Sequence, residues 1–364
     1  MFGIDLPIFA FSHCRDVVAA VSRAGGMGVL GALYFTPDEL ETELKWIDDH
    51  VEGKPYGVDV VMPASYAGAD LGVDSPAELV GRLQAMIPPA HRRFVEDLLA
   101  EHGVPPLSSG AEPGRVLLGW TDATGRPQVE TALRHPIALL ANALGPPPRD
   151  IVERAHAHGV KVAALASTPR HALKQVEVGV DVVVAQGTEA GGHTGEISTM
   201  VLIPQVVDAV DVPVLAAGGI GTGRQMAAGL ALGAEGVWTG SLWLTVEEAD
   251  TPELARRRIL TATSRDTVRS RSWTGKPARL LKNEWTDAWE SEGSPGTLPM
   301  PLQFMLVSDA LRRIGRSDAA ELATFPAGQI IGSMNQVRPA RDVVFDLIEE
   351  YVEAVERVAR ITAE

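Results

Sequence analysis

Cysteine, aromatic side chains and positive charge are all scarce in this chain of 364 residues. A single cysteine, Cys14, excludes an internal disulfide and reads most simply as a small buried hydrophobe in a reducing compartment. Lys and Arg number 32 against 47 Asp and Glu, and the resulting net charge of −15 repels polynucleotides and anionic lipid. Neither nucleic acid nor a membrane is therefore an expected partner, and the arginines at 256–258, 269 and 271 are local exceptions in an acidic whole. No apolar run approaches the ~20 residues that a transmembrane helix requires. The first residues, MFGIDLPIF, have neither the basic start nor the long apolar core of a secretory signal, so a cytoplasmic protein is expected. A strand-turn-helix G-x-G-x-x-G is also missing, which disfavours a Rossmann dinucleotide site.

Short β-rich apolar runs are plentiful, and they alternate with helical stretches. Eight of them read as strands, at 6–11, 27–33, 56–62, 137–144, 161–167, 180–186, 212–217 and 236–242. Most are apolar on both faces, as parallel strands covered by helices must be. Helices are expected at about 15–24, 37–51, 148–158, 169–178, 199–210, 222–232 and 252–262. Pro37, Pro148, Pro169 and Pro252 stand at or near their starts, where a missing N–H is harmless. Eight strand-helix units favour a closed (β/α)8 TIM barrel over an open doubly wound sheet. Residues 64–135, helical near 76–101, are far too long for a βα connection and read as an insertion or lid above the strand ends. The expected division is a barrel over 1–262 and an extension over 263–364 that packs across the barrel mouth, with helices near 302–314 and 340–360. Trp273, Trp285 and Trp289 are expected to pack that tail onto the barrel, with a place in a substrate wall as the alternative.

Two glycine turns carry the first functional signal. VPVLAAGGIGTGRQ, residues 212–225, sets Gly218, Gly219, Gly221 and Gly223 between a strand and a helix, where backbone N–H groups can meet an anion. One strand later, GVWTGSLW puts Gly240 and Ser241 at the next strand end. Loops after the seventh and eighth strands of such barrels commonly build a phosphate site, and both turns fall there. Glycines that merely make tight turns explain either motif alone better than they explain the pair.

The second signal is AQGTEAGGHTG, residues 185–195, which follows the sixth strand. His193 would look into the barrel mouth, where catalytic residues collect, and an acid/base role competes there with a capping or surface role. A metal role is poorer, because only Glu189 stands near it and no second ligand has a binding spacing. His13 could lie near the same mouth, although a polar residue at a helix start is the simpler reading. Asp59, within the third strand, needs a partner or a polar ligand if it is ionised. Gln186 carries both donor and acceptor and suits either a heteroaromatic ring edge or an adjacent backbone.

The stretches LPIF, AAVSRAGGMGVLGA, YGVDVV, VVVAQGTEAGGHTG, VPVLAAGGIGTGRQMAAGLALGAEGVWTGSLWL, GKPARLLKNE and AGQIIG run from residue 6 to about 332. In them the chain resembles the nitronate monooxygenases, formerly called 2-nitropropane dioxygenases, and their relatives the FMN-dependent enoyl-ACP reductases. The resemblance implies a TIM barrel that holds FMN noncovalently, with the phosphate cradled by Gly218, Gly219, Gly240 and Ser241. It implies Gln186, Gly191 and Gly192 along the flavin and His193 as an acid/base or proton-positioning group beside the isoalloxazine. Where the family usually reads Q-A-P-M after its first strand, this chain has Phe9-Ala10-Phe11-Ser12, so Ala10, Phe11 and Ser12 would form an altered loop under the flavin. Asp59 stands where many members carry Asn. The implied activity is oxidative denitrification of alkyl nitronates or nitroalkanes with O2, in a protein that could be a homodimer, with His193 deprotonating a neutral nitroalkane if that form is used. An NAD(P)H-dependent enoyl-thioester reductase would use the same residues, and a non-redox barrel that binds a phosphate ligand is the alternative from another class.

Overall fold

The computed structural model describes residues 1–63, 76–107 and 121–363. Eight parallel strands close into a barrel. In chain order they are β1 (Ile8–Ser12), β2 (Met27–Gly31), β3 (Gly57–Val61), β4 (Leu139–Ala143), β5 (Lys161–Ala166), β6 (Val182–Gln186) and, after a two-residue strand β7 (Gly192–His193) outside the barrel, β8 (Val214–Ala217) and β9 (Gly236–Thr239). β1 pairs with both β2 and β9, which shuts the ring. A second, antiparallel sheet joins β7 to β10 (Thr267–Ser270) and β11 (Ala278–Leu281) in the order β10-β11-β7.

Alternation along each strand fills both faces. In β6, Val182 and Val184 join Phe9, Met27, Val29, Leu139 and Leu215 in the barrel interior, while Val183 and Ala185 pack outward with the surrounding helices. Every strand expected from the apolar runs overlaps one of the eight barrel strands.

The eighth helical position is filled from an unexpected place. Glu253–Thr261, expected as the last helix of the barrel over 1–262, packs on the short turns Ser241–Thr245 and Gln329–Ser333. The barrel wall is completed instead by Ala340–Ala363, which lies between the helices Gly223–Ala231 and Arg15–Arg23. At Gly223 the approach is backbone to backbone: a Cβ there would sit 2.2 Å from Tyr351 N and 2.3 Å from Leu347 O. The Gly223 N–H donates to the Glu350 carboxylate at 2.8 Å.

Part of the expected insertion lies outside the described residues. Its helices Pro76–Ala85 and Pro89–Glu101 pack with Trp285, Trp289 and the helix Leu302–Gly315 in an apolar cluster of their own. The buried Arg313 fastens that cluster, donating to Glu96 at 2.9 Å and to the Pro105 carbonyl at 3.0 Å. Trp285 and Trp289 thus join insertion to tail rather than tail to barrel. Asp122–Ala132 packs on β3 and on the helix Pro37–His50, in the ordinary crossover position between β3 and β4. No helix among the described residues is long and apolar enough to cross a membrane.

Candidate active site

A cavity of about 760 Å³ opens at the C-terminal ends of the barrel strands, within the ~300–1,000 Å³ usual for small-molecule and cofactor sites. It gathers Phe11, Ser12, Asp59, Gln186, Gly191, Gly192, His193, Gly218, Gly219, Gly240 and Ser241 around one space. Ala10 is the exception. Alternation along β1 turns Phe9 and Phe11 inward and Ala10 outward, into the fully buried layer between strands and helices.

The glycine turn after β8 divides its donors. Gly221 gives its N–H to Gln225 Oε1 and Gly223 gives its own to Glu350, so the part of the turn that faces the cavity is Gly218–Gly219. Both have left-handed φ, +99° and +69°, and a Cβ on Gly218 would sit 2.9 Å from Thr199 Oγ1. At the end of β9, Ser241 Oγ accepts the Gly328 N–H at 2.7 Å, which leaves its proton available to a ligand. Glu189 is occupied elsewhere, since its carboxylate accepts Thr199 N–H at 2.9 Å and Thr199 Oγ1–H at 2.8 Å at the start of the helix Thr199–Val207.

His193 stands in a strand, not on a free turn. Through β7 it pairs with Ala278, and Gly192 pairs with Arg279. Its Nε2 lies 2.8 Å from Oγ1 of the buried Thr274. Thr274 Oγ1 also lies 3.3 Å from both the backbone N–H and the carbonyl of Lys276. Burial, aided by the Lys276 charge, pushes the imidazole down to about 4, so His193 is neutral at physiological pH. Thr274 and Lys276 were not singled out from sequence, although the GKPAR stretch that carries Lys276 stood out as a family match.

Asp59 points from β3 into the cavity and is only 4% exposed. Burial pushes its carboxyl up to about 7. His13 directly precedes Cys14, the N-cap of the helix Arg15–Arg23, and also lines the same cavity, with Nδ1 2.8 Å from the Gly31 carbonyl. A carbonyl only accepts, so Nδ1 carries the proton and Nε2 keeps its lone pair. Phe11 meets the His13 ring edge-on at 5.1 Å and stacks with Trp238 at 6.4 Å. Trp273 also lines the cavity, which gives it the wall position that Trp285 and Trp289 do not take.

Known proteins share both the sequence and this architecture. The sequence profile of the nitronate monooxygenase family matches residues 9–350. A Mycobacterium tuberculosis protein named as a candidate monooxygenase is 54% identical over 364 residues, covering 98% of this chain and 96% of its own. Among solved structures, nitroalkane oxidase from Streptomyces ansochromogenes superposes with a TM-score of 0.81 at 28% identity, covering 98% of each chain. FabK from Thermotoga maritima superposes at 0.74 with 25% identity, over 98% of this chain and 96% of that one. A match that begins in β1 and ends in the helix closing the barrel takes in every wall of the cavity, and on that footing the chain belongs to the nitronate monooxygenase family and is an oxidoreductase.

Proposed function

We propose that the protein is an FMN-dependent oxidoreductase that denitrifies alkyl nitronates oxidatively, with O2 as the acceptor. The observation that carries this reading is the convergence of two glycine turns and His193 on one cavity. The residues fit the cofactor. Gly218 and Gly219 form a cradle that a side chain would obstruct, and Gly240 and Ser241 face the same space, so these four would hold the phosphate. Gln186, Gly191 and Gly192, with Phe11, Ser12 and Asp59, would border the ring system. FMN, when bound, supplies the electron transfer, and the protein supplies position and field.

The low basicity of His193 bears on the substrate. A general base works best with a pKa near the operating pH, and an imidazole at about 4 is a poor acceptor for the proton of a neutral nitroalkane. This favours the nitronate, whose carbon has already lost that proton. His193 then orients the substrate through a neutral ring fixed on Thr274.

The test mixes the FMN-loaded protein, without oxygen, with ethyl nitronate, nitroethane, NADH or NADPH. Ethyl nitronate is expected to change the flavin absorbance within seconds, and the nicotinamides to leave it nearly unchanged. Rapid bleaching by NADPH with no response to nitronate overturns the proposal in favour of the reductase, the reading closer to the FabK likeness. A purified protein that neither carries nor takes up FMN overturns the proposal.

A further inference from the structure

Four of the six lysines pair with carboxylates, Lys45 with Glu41, Lys54 with Asp5, Lys161 with Asp181 and Lys282 with Asp287. The other two, Lys174 and Lys276, both line the cavity, and neither ammonium has a carboxylate within 4 Å among the described residues. In a chain of net charge −15, the two lysines without a carboxylate partner among the described residues thus fall on one cavity. Lys174 is exposed, whereas Lys276 is half-buried and close enough for its charge to act on His193.

The Thr274 hydroxyl ties the backbone of Lys276 to the His193 ring. Thr274 Oγ1 contacts His193 Nε2 and both backbone polar groups of Lys276. Two residues on, Ala278 pairs with His193 across the β7–β11 ladder. Burial without a partner lowers the Lys276 pKa, a desolvation loss that an anion docked beside it would recover. The same ammonium disfavours an imidazolium at His193, so the pair presents one positive charge next to one neutral ring.

We propose that Lys276 is the anion-receiving residue of the substrate site, a specificity determinant that selects substrates negatively charged at the end approaching His193 over neutral ones of the same shape. The proposal rests on the proposed nitronate activity for the identity of the anion, but the lysine-histidine arrangement does not depend on it. A docked anion also offsets the lysine's field at His193, which makes the ring more basic once substrate is present.

The test uses the protein as purified, with its FMN content recorded separately, and nitrate as the probe, because nitrate is a planar oxyanion like the nitronate head. Calorimetric titrations with nitrate and with neutral nitroethane are compared in wild type, Lys276→Gln and Lys276→Arg. Charge-assisted hydrogen bonds justify an expected loss of about tenfold or more in nitrate affinity for Lys276→Gln. Nitroethane affinity should stay within about twofold by the same argument, and Lys276→Arg should keep most of the nitrate binding. Proton NMR of the His193 ring should show a higher pKa in Lys276→Gln, and a rise in wild type when nitrate is added. Unchanged nitrate affinity in Lys276→Gln overturns the proposal, and so does loss of FMN with nitrate binding intact, which would assign the lysine to the cofactor. Should Lys276→Gln not fold, the wild-type nitrate-dependent rise in the His193 pKa decides alone, and its absence overturns the proposal. A protein without FMN that still binds nitrate through Lys276 would sink the FMN-dependent nitronate reading and leave this one standing.

Discussion

Replacing Asp59 with asparagine should stabilise the protein at pH 8 far more than at pH 5. Burial raises the Asp59 carboxyl from 3.8 to about 7, so between those values the folded protein holds a proton that the unfolded chain has released. Unfolding then releases a proton, and stability falls as pH rises from about 4 until it levels off above about 7. A shift of roughly 3 units at 1.36 kcal/mol each makes the full penalty about 4 kcal/mol, of which about 3 kcal/mol develops between pH 5 and pH 8. Asparagine is similar in shape and cannot ionise, so the substitution removes the pH-dependent part alone. Urea unfolding of the flavin-free wild type and Asp59→Asn, followed by tryptophan fluorescence at both pH values, measures it as a difference of differences. An equal effect of the substitution at pH 5 and pH 8 would refute the assignment of Asp59 as a buried carboxyl that is protonated in the fold below neutrality.

Gly223→Ala puts a methyl group 2.2 Å from Tyr351 N, and overpacking at a backbone contact should cost about 2 kcal/mol or more. A lowered Tm with earlier proteolysis within 340–363 is expected, and an unchanged Tm would show that the closing helix does not depend on this contact. Because His193 titrates near 4, kcat/KM for a nitronate should show no histidine limb between about pH 5.5 and 8. His193→Gln should keep FMN but slow turnover, and a wild-type limb near 6.5 that vanishes in this variant would contradict the neutral, buried imidazole.

The barrel was legible because each wall strand is a compact apolar run bounded by turn residues, and eight such runs admit few arrangements. The closing helix was not. Both 252–262 and 340–360 read as helices, but periodicity says nothing about where a helix docks, and the backbone contact at Gly223 that selects the later one is not written in hydrophobicity. The glycine turns and His193 were visible from their positions at strand ends. Thr274 and Lys276 were hidden because the β7–β11 pairing that brings them to His193 is only two residues long, too short to leave an alternation in the sequence. Ala10 falls outside the cavity that the resemblance implies for it, because the alternation of Phe9, Ala10 and Phe11 sends the middle residue outward.

The central claim is that the turns at 218–219 and 240–241 bind the phosphate of FMN, and riboflavin, which lacks only that phosphate, tests it most directly. Flavin-free wild type and Gly219→Val are titrated with both ligands and followed by flavin fluorescence. Several charge-assisted hydrogen bonds to one phosphate predict that the wild type binds FMN at least about 100-fold more tightly than riboflavin. Gly219 has φ +69° and a Cβ there lies 3.2 Å from Glu189 Cβ, so Gly219→Val should bring FMN down to the riboflavin level while leaving riboflavin nearly unaffected. Equal affinity for the two flavins in the wild type, or undiminished FMN binding in Gly219→Val, would contradict the account.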